Sequence, residues 1–340
     1  VLDNIFTVGA RTVLFYGGEP LLRGDLRVLV EAAARGGADP YVVTNGTLLD
    51  GERAAELFDA GLRGFGVSLD AASEATYRAV RGTAGFEAAI RGIRAAVGLG
   101  RGTVALGFVL CRANALEAGA IVGLGMDLGV DRVVVTPLAR AGRARAWGPE
   151  GALTPGEMVD VAEVLATERV GRGCPDDFIL MDFATQPVVD YVNRRYGTGF
   201  SLPPKGCSPL KMGVFVRSDG VAFPCKGAVK ELGLKNPAIY SSPGHDLLGR
   251  PFPEVLGSDD FGRLFEMASP TAMLPGLKEC EGCRYLFAGC SPCPISAADP
   301  ARPVAEFCHD YPSGLLCSEA RRREAVEPAG WARRAEGAEG

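Results

Sequence analysis

Short apolar runs alternate with longer amphipathic stretches along the first half of the chain. Val13–Tyr16, Pro40–Thr44, Gly64–Leu69, Thr103–Leu110 and Arg132–Thr136 are rich in Val, Leu and Phe. Turn-forming residues bound them, which predicts short buried strands. Between them, 24–35, 51–60, 85–99 and 115–128 repeat apolar residues at helical spacing, as Ile90, Ile93 and Val97 do. Gly61, Gly100 and Gly129 follow the last apolar turns and suit helix C-termini. Each strand–helix unit takes roughly 25 to 35 residues. Such a series predicts an α/β fold, a parallel sheet with helices outside, in the form of a partial (β/α) TIM-type barrel.

Thr154 followed by Glu157 is a capping-box pattern that opens a further helix, and 187–195 reads as another. From about Ser201 the texture changes: Pro and Gly become frequent and helical periodicity fades. Ser218-Asp219-Gly220 reads as a hairpin turn between Val214–Val216 and Val221–Phe223. The expected organisation is therefore a barrel unit over 1–199, a small cysteine-rich domain over 200–318, and a charged, Ala/Gly-rich tail over 319–340, either a mobile tail or a frayed helix.

Composition narrows the function classes. The 340 residues are 47% hydrophobic and 23% charged, enough apolar mass for a real core, and the net charge is −5. Without a basic stripe, nucleic acid is not an expected partner. No apolar run is long enough to span a membrane, so no membrane partner is expected, and a cytoplasmic setting is. Ten cysteines and only two histidines stand out. Conventional histidine acid–base chemistry is poorly supplied, which turns attention to cofactors.

The strand ends carry the first candidate chemistry. In a parallel barrel, function gathers at the C-terminal ends of the strands. Here those ends read Gly17-Gly18-Glu19-Pro20, Thr44-Asn45-Gly46-Thr47 and Ser68-Leu69-Asp70. Glycine lets the backbone approach a ligand, and Glu19 can accept hydrogen bonds from an ammonium group. Each taken alone is also an ordinary strand-to-helix turn. Arg81 has a bland reading as a solvated helix end, and Cys111 as a small core residue.

The second signal is the cysteine cluster. Cys280-Glu-Gly-Cys283 and Cys290-Ser-Pro-Cys293 place two C-x2-C pairs close together. Cys207 and Cys225 precede them, and Cys308 and Cys317 follow. Thiolates at such spacing suit Fe–S clusters or tetrahedral zinc, with disulfides as the remaining reading.

Taken together, these motifs resemble radical S-adenosylmethionine (SAM) enzymes with a SPASM-type C-terminal domain. "GGEP", "TNGTLL" and "VSLDA" occur in that family's order. The resemblance implies that Gly17, Gly18 and Glu19 bind the SAM ammonium. It implies that Ser68 and Asp70 lie near the SAM ribose or carboxylate, that Asn45 lines the same mouth, and that Arg81 is a carboxylate partner. It also implies two auxiliary [4Fe–4S] clusters, one on Cys207, Cys225 and Cys293, the other on Cys280, Cys283, Cys290 and Cys308. Cys317 either replaces Cys308 or completes the first. An electron donor such as flavodoxin or ferredoxin, and a peptide or cofactor-precursor substrate, are the implied partners.

Three departures qualify the match. The family's C-x3-C-x2-C, which holds the SAM-cleaving cluster, is not found ahead of Gly17. Either the chain is a fragment lacking that first strand and cluster loop, or it is a degenerate relative. As given, it is not expected to cleave SAM, and the radical SAM [4Fe–4S] cluster is expected only in a full-length parent. That parent would form a 5′-deoxyadenosyl radical and abstract hydrogen from its substrate. The second cysteine group reads C-x2-C-x6-C-x2-C, one residue off the SPASM pattern. Finally, Lys226 stands after Cys225, where sulfatase-maturing members carry Asp. The rival readings are a non-catalytic binding scaffold with a zinc-held cysteine domain, and a non-radical α/β enzyme with structural disulfides.

Overall fold

The computed structural model describes residues 1–138, 142–202, 213–223, 245–258, 284 and 313–326. Six parallel strands form one sheet in sequential order: β1 (Thr12–Phe15), β2 (Asp39–Thr44), β3 (Gly64–Ser68), β4 (Thr103–Leu110), β5 (Arg132–Pro137) and β6 (Ile179–Met181). The helices between them are α2 (Leu26–Arg35), α3 (Gly51–Asp59), α4 (Glu74–Arg81), α5 (Phe86–Gly98), α6 (Ala118–Leu128) and α7 (Pro155–Arg172), and α1 (Leu2–Phe6) precedes β1. Strands paired only with their sequence neighbours, all parallel, give the arc of a partial TIM-type barrel. The alternating strand–helix pattern of the sequence foretells this fold class.

The strands bury alternate residues. In β2, β4 and β5 every second side chain is fully buried and those between are half-buried or exposed. Val42, Phe65, Val67, Leu106, Phe108, Val133 and Val135 join the helices in one continuous core. The opposite face is half-buried and includes small residues, Gly66, Ser68, Ala105 and Gly107. β1 differs from the buried strand expected of Val13–Tyr16. Leu14 is 48% and Tyr16 43% exposed. Among the described residues the strand's one partner in the sheet is β2, and these two side chains are uncovered.

The capping box at Thr154 forms as the sequence predicts, with Thr154 and Glu157 bonded reciprocally. The helix expected over 187–195 is α8 (Gln186–Tyr196). α4, three-residue β6 and α9 (Phe252–Leu256) are among the elements the periodicity missed. The last two are too short for a period to register.

Beyond the barrel, β7 (Phe215–Val216) and β8 (Val221–Phe223) form the expected hairpin, and β9 (His245–Asp246) pairs on β8. Ala222, Leu247, Phe252 and Val255 make a small separate core there. The last described element is α10 (Ser313–Val326). The tail expected from residue 319, mobile or a frayed helix, begins inside this helix. Leu316, Cys317 and Ala320 are buried, and Arg323 pairs with Asp160, Glu163 and Glu319. Buried apolar contacts and ion pairs to α7 hold a stretch that looks featureless in sequence.

Candidate functional site

Glu19, Asn45, Ser68 and Asp70 all follow or end strands at the C-terminal edge of one parallel sheet, β1 to β3. The β1 end turns on Gly17 (φ +93°) and Gly18 (φ +56°), the left-handed region that only glycine enters freely. Among the described residues no heavy atom lies within 4 Å of where a Cβ would stand at either position. The turn is set by backbone conformation, and no described side chain crowds it.

Glu19 is fixed from three sides. Its Oε1 accepts from the Leu21 N–H at 3.1 Å and the Thr44 hydroxyl at 2.6 Å, and its Oε2 accepts from the Asn45 N–H at 2.8 Å. A carboxylate has about four acceptor sites, so at least one on Oε2 remains. Asn45 uses its own Oδ1 to hold the Thr47 N–H and hydroxyl, an Asx turn that shapes the β2 exit. Thr44 is a working member of this group that sequence reasoning passed over. Its position at the end of β2, before Asn45, was the available signal.

Asp70 sits differently. It is 5% exposed and adopts φ +53°, the one non-glycine residue with positive φ among the described residues. Its Oδ1 accepts from the Val109 N–H at 2.7 Å, and its Oδ2 pairs with Arg81 at 2.8 Å. Burial pushes its carboxyl up, opposed by the Arg81 guanidinium and the Val109 N–H. Buried Asn114 closes the knot: its amide donates to the carbonyls of Asp70 and Val109 and accepts from the Cys111 N–H. Asn114 was missed; its place just after a strand end, in Cys-Arg-Ala-Asn, was the clue. Cys111 packs as the expected small core residue, and burial pushes its thiol up.

Arg81, at the end of α4, is no solvated helix end. One N–H group meets Asp70, while its buried Nε has no hydrogen-bond partner. α4 is itself tied down by Glu117, which accepts from the Ala72 N–H and the Ser73 and Thr76 hydroxyls. Burial pushes Glu117 up, but these donors win and hold it below the usual range. Ser68 ends β3 opposite Gly107 on the half-buried face.

The structure thus draws Gly17, Gly18, Glu19 and Asn45 into one group and Asp70 and Arg81 into another, on the same edge. Of the cysteines expected to bind metal, only Cys317 is described. It is buried on α10, with its thiol 3.2 Å from the Thr185 hydroxyl. Cys207, Cys225, Cys280, Cys283, Cys290, Cys293 and Cys308 lie outside the described residues. Among the described residues no group of three or more His, Cys, Asp or Glu could hold a metal, and no helix is long and apolar enough to cross a membrane.

Comparison with known proteins agrees with this geometry. Residues 1–115 match the family model of the radical SAM superfamily. The chain is similar to Fe-coproporphyrin III synthase of Methanosarcina barkeri, 35% identical over 145 residues, covering 42% of this chain and 36% of that protein. Similarity to PqqA peptide cyclase of Streptomyces rochei runs further: 30% identity over 259 residues, 75% of this chain and 64% of that one. The chain thus spans less than two thirds of either relative. Among solved structures, anSMEcpe with bound AdoMet and a Cp18Cys peptide shares the fold, with a TM-score of 0.66 at 15% identity, covering 96% of this chain and 88% of that one.

Proposed function

We propose that this chain carries a radical SAM domain that binds SAM at the Gly17–Glu19 turn and serves a peptide-modifying radical enzyme. One observation carries the reading. A carboxylate with spare acceptor capacity is locked at the mouth of a glycine turn, at the strand edge where barrel function collects. An ammonium group suits that acceptor, and the Arg81 guanidinium, on the same strand edge, suits a carboxylate. An amino-acid end such as SAM's methionine offers both. Ser68, on the half-buried face, is the hydroxyl for the ribose, and Asn45 shapes the wall. Asp70 acts through Arg81 in this reading, because its own oxygens are engaged within the fold. With a [4Fe–4S] cluster to reduce it, SAM held by Glu19 and Arg81 would supply one-electron, hydrogen-abstracting chemistry.

The peptide class is supported by two proteins this chain resembles, one named a PqqA peptide cyclase, the other solved with a Cp18Cys peptide. The SPASM reading of the C-terminal cysteines, with two auxiliary clusters and a flavodoxin- or ferredoxin-type donor, belongs to the same proposal. So does the expectation that the 340-residue chain makes no 5′-deoxyadenosine by itself.

Equilibrium binding of SAM decides the site. The wild-type chain is expected to bind, and Glu19→Gln to bind at least about tenfold more weakly, the loss of one charge-assisted hydrogen bond. Equal binding by both, or none by the wild type, defeats the site. Anaerobic reconstitution tests the cysteine domain. About eight iron and eight sulfide per chain are expected for two four-iron clusters; zinc without sulfide would leave a binding scaffold instead.

A further inference from the structure

Helix α1 sits between two parts of the molecule that are far apart in sequence. Its Phe6 ring lies directly on Gly36 at the end of α2, so close that a Cβ at Gly36 would collide with it. Its Asn4 and Ile5 face the β7–β9 module. Ile5 packs against the small core of Ala222, Leu247, Phe252 and Val255. The Asn4 amide donates to the carbonyls of Leu247 at 2.9 Å and Arg250 at 2.7 Å, and accepts from the Phe252 N–H at 2.6 Å. All three partners are backbone groups, so the orientation of the amide is dictated by them.

Phe252 is the first residue of α9, which has no side-chain cap of its own. Asn4 therefore caps that helix across 248 positions while gripping the two carbonyls before it. On the same side, Phe215 of β7 stands edge-on to Tyr16, with ring centroids 5.8 Å apart and planes at 71°. Tyr16 adjoins Gly17, the start of the candidate SAM turn.

We propose that Asn4 is a positioning residue: it seats the β7–β9 module beside the end of β1, and through Phe215 and Tyr16 steadies the Gly17–Glu19 turn. A side chain with both donor and acceptor is needed for the grip. Aspartate retains the acceptor, and is a good helix cap, but cannot donate to the two carbonyls.

Hydrogen exchange on the full chain tests this. In Asn4→Ala, the amides of 213–223 and 245–258 are expected to exchange about tenfold faster, with a smaller rise over 12–19 and none in β3–β5. Asn4→Asp is expected to exchange at least as fast as Asn4→Ala. Unchanged exchange over 245–258, rescue by Asp, or an equal rise throughout β3–β5 would each overturn the proposal; rescue by Asp would reduce Asn4 to a simple cap. Phe215→Leu leaves Asn4 intact and is expected to free 12–19 while 245–258 stays protected. No change over 12–19 in that variant would break the link to the turn. The consequence for cofactor binding rests on the function proposed above: Asn4→Ala is expected to bind SAM about fivefold more weakly. A wild-type chain that binds no SAM would remove that function, while the exchange results still decide the seat.

Discussion

Glu19 and Asp70 are both carboxylates at the C-terminal edge of the same sheet, yet the fold treats them in opposite ways. Asp70 is closed off: buried, ion-paired to Arg81, and knotted to β4 through Val109 and Asn114. Glu19 is oriented by Thr44, Asn45 and Leu21 but keeps acceptor capacity beside a glycine turn. The difference follows from sheet position. Asp70 stands where β3 meets β4, while Glu19 follows β1, which among the described residues pairs with β2 alone. A carboxylate walled in by its own protein must find its partners there, because desolvating an unpaired charge is too costly. One not walled in can stay available to a ligand. Asp70 is thus engaged within the fold, and in the proposed reading Glu19 is the carboxylate that meets SAM.

That contrast breaks most sharply under Asp70→Ala. The change strands Arg81 without its partner and leaves the Val109 N–H unsatisfied. A stability loss of about 3 kcal/mol is expected from urea unfolding. Asp70→Asn keeps an acceptor for Val109 and is expected to lose less. Losses below about 1 kcal/mol for both variants would show that the knot carries little of the fold.

Glu19→Gln is the counterpart. It retains an oxygen for Thr44 and Leu21 but turns an NH2 toward the Asn45 N–H, so about 1 kcal/mol of stability is expected to go. The large effect should fall on SAM binding. If Glu19→Gln instead cost as much stability as Asp70→Ala with SAM binding intact, the roles assigned to the two carboxylates would have to be exchanged.

The smallest effect belongs to α10, far from the mouth. Arg322 and Arg323 hold Glu319 at about 2 against an ordinary 4.5. Burial pushes Glu163 up, but Tyr191, Arg323 and Tyr196 hold it lower overall. Both carboxyls bind protons more weakly in the folded chain than in the unfolded one. Their contribution is therefore complete above pH 4.5 and fades as pH falls toward 2. Exchange measured across that window should show α10 losing protection before α3. Equal pH responses in the two helices would remove the latch from the account.

How far the sequence could be read follows from the range of each interaction. The five long strand–helix units were legible because burying one face of a strand or helix imposes a period on the chain. The capping box at Thr154 and the hairpin at Asp219 were legible because their partners lie within a few residues. The glycine turn was visible as Gly17-Gly18-Glu19, since a positive φ leaves its mark in the residue type itself. By contrast, Thr44, Asn114 and Glu117 meet their partners across strands and helices; the strand-end places of Thr44 and Asn114 mark them as candidates, but no local window shows which partners they take. Asp70 shows the same limit from the other side. Its motif was noticed, but only the packed structure turned its oxygens toward Arg81 and Val109.

The sequence by itself determined the class of fold, the edge on which the chemistry gathers, and the residues of the glycine turn, because those depend on periodicity and local backbone conformation. The tertiary structure decided which carboxylate is enclosed and which is presented, how Asn4 reaches Leu247, Arg250 and Phe252, and that the charged stretch after Ser318 continues a packed helix. Each of those rests on contacts between segments tens to hundreds of residues apart, and burial, which sets the worth of a charge or a hydrogen bond, exists only once those segments have come together.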